Sequence, residues 1–156
     1  MQEVIFFIDD DEKLGSTLKQ LIEYSNYKVH HFVNGKQALA NLEKIEPHLI
    51  ICDIKMPEMN GYEFYEIFRN MGNHNIPFLF LSGIDDYQEI RKAMNLGADD
   101  YLVKPVPILE LIKAIKIRLK KSSKIEEVYN QKTEQLKKEI EKKNELISNL
   151  NQNNRQ

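Results

Sequence analysis

Three short runs of this chain, VIFFI (Val4–Ile8), LIIC (Leu49–Cys52) and FLFL (Phe78–Leu81), are apolar with no polar alternation. A strand wetted on one face alternates; a strand covered by helices on both faces does not, and such double cover is typical of parallel sheets. Two further runs, Lys28–Phe32 and Tyr101–Val103, bring the candidate strands to five, the first of them polar enough for an edge. Between the runs lie stretches with helical spacing. Leu14, Leu18, Leu21 and Ile22 mark the first, Lys36–Ile45 before Pro47 the second, Tyr62–Phe68 the third, and Tyr87–Leu96 with Gly97 as C-cap the fourth. This alternation predicts an α/β fold: a five-stranded parallel, doubly wound sheet with five helices, the last extended.

The chain of 156 residues is 42% hydrophobic and 29% charged, which supports a packed core. A formal charge of −2 gives no electrostatic case for nucleic-acid binding. Cys52 is the only cysteine, so an intrachain disulfide and a cysteine-built zinc site are excluded, and it reads as a small buried hydrophobe. His30 and His31 are adjacent on a strand and point to opposite faces, which argues against a shared metal. The start, MQEVIFFIDDDE, has neither the basic region of a signal peptide nor an apolar span long enough for a membrane. A cytoplasmic protein with no membrane association is expected.

After Val106 the texture changes. Pro107 suits a first helical turn, and no glycine or proline follows it. Read in heptads, Ile112, Leu119, Ile140 and Ile147 share one position, with Glu126 and Thr133 as polar members. Ile108, Ile115, Tyr129, Leu136 and Leu150 share the other, with Ser122 and Lys143. The expected organisation is a domain over 1–121, a helical coiled-coil extension or linker over 122–150, and a disordered tail over 151–156.

The strand ends carry the chemistry. Ligands of a parallel α/β sheet bind outside the carboxyl ends of the strands. There this chain has Asp9, Asp10 and Asp11 after the first strand, Asp53 after the third, Ser82 and Gly83 after the fourth, and Lys104 with Pro105 after the fifth. Asp11, two residues past its strand, reads as a helix N-cap. Converging carboxylates cannot all stay charged in a dry site without a cation. All-oxygen ligands point to Mg²⁺, with Mn²⁺ as a substitute. A lysine and a hydroxyl at the same edge complete a cradle for a phosphoryl group.

These segments, FFIDDDE, LIICDIKMPEMNG, FLFLSG and GADDYLVKP, resemble in order and spacing the receiver domain of two-component response regulators over about Val4 to Lys120. The resemblance implies a flavodoxin-like sheet of strand order 2-1-3-4-5. It implies Asp53 as phosphoacceptor, charged from a phosphohistidine of a histidine kinase or a histidine phosphotransfer protein. Asp10 would bind Mg²⁺ directly and Asp9 through water, with Asp53 and the Lys55 carbonyl as further ligands. Lys104 would pair with the phosphoryl group ahead of a cis bond to Pro105. Ser82 and Tyr101 would form the switch: Ser82 moves to the phosphoryl group, and Tyr101 turns inward into the space vacated. Lys55 and Ile84 flank the site and would tune phosphate lifetime.

Two alternatives stand beside this reading. Asp9 and Asp11 form the Asp-x-Asp of a haloacid-dehalogenase-like phosphohydrolase, although Lys13 departs from that pattern and CDIKMPEMNG is left unexplained. A phosphorylation-independent receiver-like module is the other. No helix-turn-helix and no second catalytic domain is visible after Lys121, so the chain reads as a single-domain regulator or as part of something longer. A homodimer through the fourth-helix and fifth-helix face and the C-terminal helix is expected, without direct nucleic-acid contact.

Overall fold

Because successive strand residues face opposite ways, each apolar run supplies two cores at once. In the computed structural model, which describes residues 1–155, β1 (Val4–Ile8), β3 (Leu49–Cys52) and β4 (Phe78–Ser82) are almost entirely buried. β2 (Lys28–Phe32) and β5 (Asp100–Val103) are the edges, and all neighbours are parallel in the order β2-β1-β3-β4-β5. Phe6, Ile8, Ile50, Cys52, Phe78 and Phe80 face one core, closed by α2 (Gly35–Asn41), α3 (Gly61–Asn70) and α4 (Tyr87–Leu96). Ile5, Phe7, Leu49, Ile51, Leu79 and Leu81 face the other, closed by α1 (Glu12–Glu23) and the first turns of α5 (Ile108–Asn153).

The first four helices each start on a side chain suited to it. Asp11, Asn34, Asn60 and Asp86 cap α1 to α4, and Asn60 with Glu63 forms a full capping box. Gly97 ends α4 at φ 105°, a left-handed value that favours glycine. The second helix is shorter than its apolar spacing predicts. It stops at Asn41, whose amide donates to Gln37 O, and the chain continues through Leu42 to Ile45 in single turns; Pro47 does not end it.

At the amino ends of the strands, Arg69 of α3 donates to the carbonyls of Asn73 and Ile76 and pairs with Asp99 at 3.5 Å. Its guanidinium lies over the Tyr65 ring at 5.0 Å. Asp99 in turn accepts from Phe78 N at 2.7 Å, which joins the starts of β4 and β5.

The chain divides into two compact units, Met1–Lys120 and a second beginning at Lys121. The expected helix seam runs across this boundary. Ile112, Ile115 and Leu119 are buried in the first unit's own core against the sheet, so they are not free to pair with another helix. From Lys121 onward no described residue is buried. Tyr129, Leu136, Ile140, Ile147 and Leu150 are 54–71% exposed. The helix also runs to Asn153, three residues into the segment expected to be disordered, and Asn154 N bonds to Leu150 O. Gln156 lies outside the described residues. Among them, no helix is long and apolar enough to cross a membrane.

Candidate functional site

Asp9, Asp53 and Lys104 each follow directly on a strand, and each extends the sheet by one backbone bond. Asp9 N bonds to Phe32 O at 3.0 Å, Asp53 N to Ile8 O at 2.9 Å and Lys104 N to Ser82 O at 2.8 Å. Their backbones are therefore as fixed as the sheet. Among the described residues, the buried polar or charged ones are Asp9, Asp53 and Ser82, and all three lie at this edge.

The Lys104 ammonium bridges two of them, 2.7 Å from Asp9 Oδ2 and 3.2 Å from Asp53 Oδ2. Asp9 Oδ1 accepts from Asp11 N, and Asp53 Oδ1 accepts from Ile54 N at 2.8 Å. The Lys104–Pro105 bond is cis, as the resemblance implies. Burial raises the Asp53 pKa; Lys104 pulls against it, and Asp9 adds to it. Burial works against the Lys104 charge, but the Asp9 hydrogen bond and the two carboxylates outweigh it, so its pKa is raised too. Cys52 is buried, donates to Asp53 O at 3.1 Å and has its thiol pKa pushed far up by burial and then by Asp53, so it is no nucleophile.

Asp10 is exposed, and one oxygen each from Asp9, Asp10 and Asp53 falls within 4.8 Å of the others. Three carboxylates against one ammonium leave an excess of two negative charges, the charge of one divalent cation. The all-oxygen donor set suits a hard ion. Lys55 is exposed on the following loop. Asp11 caps α1 through Leu14 N, the N-cap role its position predicts.

Two residues behave differently from expectation. Gly61 reads in sequence as relief for a turn. In the structure, a Cβ there would sit 2.2 Å from Asp53 O and 2.8 Å from Ile54 Cα, so glycine allows α3 to approach the strand end that carries Asp53. Tyr101 is already turned inward: it is 9% exposed, its hydroxyl donates to Ile84 O at 2.8 Å, and Ser82 Oγ accepts from Ile84 N at 3.3 Å.

Sequence reasoning missed two contacts. His31 Nε2 lies 2.9 Å from Asp9 O, its ring filling the space left by Gly15. Tyr62 donates to the Glu89 carboxylate at 2.8 Å, and Lys92 sits over the Tyr62 ring, fastening α4 to α3. A glycine facing a strand histidine and a tyrosine opening α3 were the available signals, but neither names its partner.

The family model for the response regulator receiver domain matches residues 5–116. The chain belongs to the response regulator receiver family. Its sheet of order 2-1-3-4-5 is the flavodoxin-like arrangement that membership implies. The chain is 35% identical over 116 residues to the transcriptional regulatory protein CrdR of Helicobacter pylori, covering 74% of this chain and 54% of that one. It is 33% identical over 118 residues to the transcriptional regulatory protein PcoR of Escherichia coli, covering 76% and 52%. The chain thus spans about half the length of the curated relatives it matches. A CheY-like receiver domain protein from Methanospirillum hungatei superposes with a TM-score of 0.74 at 28% identity, covering 80% of this chain and 98% of that one. A two-component response regulator from Clostridium difficile superposes at 0.71 and 27%, covering 76% and 97%.

Proposed function

We propose that Asp53 accepts a phosphoryl group from the phosphohistidine of a histidine kinase or phosphotransfer protein. An Asp53 oxygen attacks phosphorus, the N–P bond breaks, the donor imidazole recovers its electron pair, and an acyl phosphate forms on Asp53. The observation that carries this reading is a buried carboxylate on a rigid strand end, 3.2 Å from a lysine. Mg²⁺, or Mn²⁺ in its place, would be held by Asp10 and Asp53 with help from Asp9 and the Lys55 carbonyl, and would neutralise phosphoryl charge.

Lys104 supplies the fixed positive charge, and Asp9 keeps it aimed at the edge while the acceptor is free. Ser82 donates its hydroxyl to the new phosphoryl oxygens. That draws on the Ile84 backbone, where Tyr101 is also anchored, so the message spreads to α4 and β5. Lys55 and Ile84 set how freely water reaches the acyl phosphate.

The chain is a switch that takes up one phosphoryl group and is no multiple-turnover enzyme. It works in the cytoplasm as a homodimer through the α4 and α5 face and the helix beyond Lys121, and it makes no direct contact with nucleic acid. Intact mass after incubation with a small phosphodonor and Mg²⁺ tests the chemistry. One phosphoryl group on the wild type and none on Asp53→Asn is expected. No gain by a folded wild type would leave a phosphorylation-independent module.

A further inference from the structure

The second unit begins at Lys121, and the period of the sequence changes there. Written in elevens from Lys121, three stretches align: KSSKIEEVYNQ, KTEQLKKEIEK and KNELISNLNQN. The first position is Lys121, Lys132 and Lys143; the second is Ser122, Thr133 and Asn144. The fifth is Ile125, Leu136 and Ile147, aliphatic each time, and the ninth is Tyr129, Ile140 and Asn151. Eleven residues overshoot three helical turns by about 20°, opposite in sense to the drift of a heptad, so these positions form one stripe that winds gently to the right. The seven-residue frame read above places Glu126, Thr133 and Lys143 in its seam. The eleven-residue frame keeps its fifth and ninth positions free of charge and leaves Lys132 and Lys143 at the border of the stripe.

From the stripe we infer that residues 121–153 form a parallel, in-register helix pair with a second copy of this chain, with eleven-residue periodicity. The inference rests on the homodimer proposed above and replaces its heptad seam. A helix with no buried residue gains nothing from packing, and isolated helices are marginal in water. Ile125 to Asn151 runs for about 40 Å, and half the girth of a helix about 10–12 Å across gives roughly 600–700 Å². That approaches the ~800 Å² per partner of a standard interface.

The stripe is complementary to itself. In register, aliphatic layers meet their equals and Asn151 meets the partner's Asn151. The Lys132 donors flank the partner's Thr133, and Lys143 flanks the partner's Asn144. An antiparallel pairing centred on the stripe would set Asn151 against Ile125. The eleven-residue period calls for a straight or slightly right-handed pair, whereas a heptad seam coils to the left.

Single cysteines in the full chain test this, because Cys52 is the only native one and is fully buried, leaving the wild type a silent control. Under a mild oxidant, Ile125→Cys should form a disulfide with its own copy, which an antiparallel pair setting Ile125 against Asn151 prevents, since the two cysteines would then lie about 39 Å apart. Ile125→Cys should crosslink several-fold faster than Glu126→Cys, and Asn151→Cys several-fold faster than Leu150→Cys. Reversal of either order restores the heptad and overturns the inference while the dimer stands. No crosslink at either Ile125 or Glu126 in a chain that sediments as a dimer overturns the parallel arrangement. A monomer at every concentration, with and without phosphodonor, removes the homodimer itself.

Discussion

Lys104 lies closer to Asp9 than to Asp53, 2.7 Å against 3.2 Å. The nearer partner of the lysine is thus the aspartate that is not the proposed acceptor. Asp53 keeps a charge that burial disfavours and that one shared ammonium only partly offsets.

That imbalance sets a pH dependence. The folded pKa of Asp53 is raised, so the fold holds its proton more tightly than the unfolded chain does. The stabilising form is the protonated one, present at low pH and lost as pH rises through the folded value. Without a divalent cation, Asp53→Asn should therefore stabilise the fold at neutral pH by about 1 kcal/mol. The gain should shrink on acidification, where Asp53 is itself neutral. Denaturant midpoints at the two pH values measure it, and a gain that grows in acid would contradict the assignment.

Gly61→Ala should act on chemistry and stability together. The new Cβ meets backbone, not a flexible side chain, so the strand end bearing Asp53 must move. A displacement near 1 Å is expected to slow phosphoryl uptake about a hundredfold and to cost about 2 kcal/mol. Uptake at the wild-type rate, read by intact mass, would show that the approach is not needed.

Gly15→Ala should clash with the His31 ring, 2.1 Å from the added carbon, and break its contact with Asp9 O. Overpacking of this kind costs about 1–3 kcal/mol. Since the obstacle is a side chain, Gly15→Ala/His31→Ala should recover part of the loss, a coupling of about 1 kcal/mol in a double-mutant cycle. Strict additivity would place the strain elsewhere.

Tyr62→Phe removes the hydroxyl that holds the Glu89 carboxylate. Burial and the neighbouring Glu89 keep that hydroxyl protonated far above the ordinary tyrosine range, so its donor role persists at every physiological pH. A hydrogen bond to a charged group contributes about 1.5–3 kcal/mol. We expect faster amide hydrogen exchange at the start of α4, from Tyr87 to Ile90, with the β-sheet unchanged. Unaltered exchange there would mean that α4 is held by its packing alone.

The sheet was legible because each strand carries its signal within itself. VIFFI and LIIC sit where expected, and β4 and β5 each gain one residue from a ladder partner. The strand-end residues were legible for the same reason, since a strand boundary is local and the sheet brings boundaries together. What escaped reading is set between elements. No local pattern separates an apolar stripe that packs on its own sheet from one left outside, so Ile112, Ile115 and Leu119 were grouped with Tyr129 and Leu136. Likewise, a glycine needed for a close approach looks in sequence like one needed for a turn.

Arg69 gathers two loop carbonyls, Asp99 and an aromatic face at the amino edge of the sheet, across its full width from Asp53 and Lys104. This anchor of the fold therefore lies at the opposite end of the strands from the charged cluster. Inherited changes around Arg69 would alter how much folded protein accumulates, and changes around Lys104 would alter what that protein reports. A lineage could therefore tune abundance at the Arg69 end while leaving the Lys104 end alone, whereas Gly61, set against Asp53 O, would couple the two.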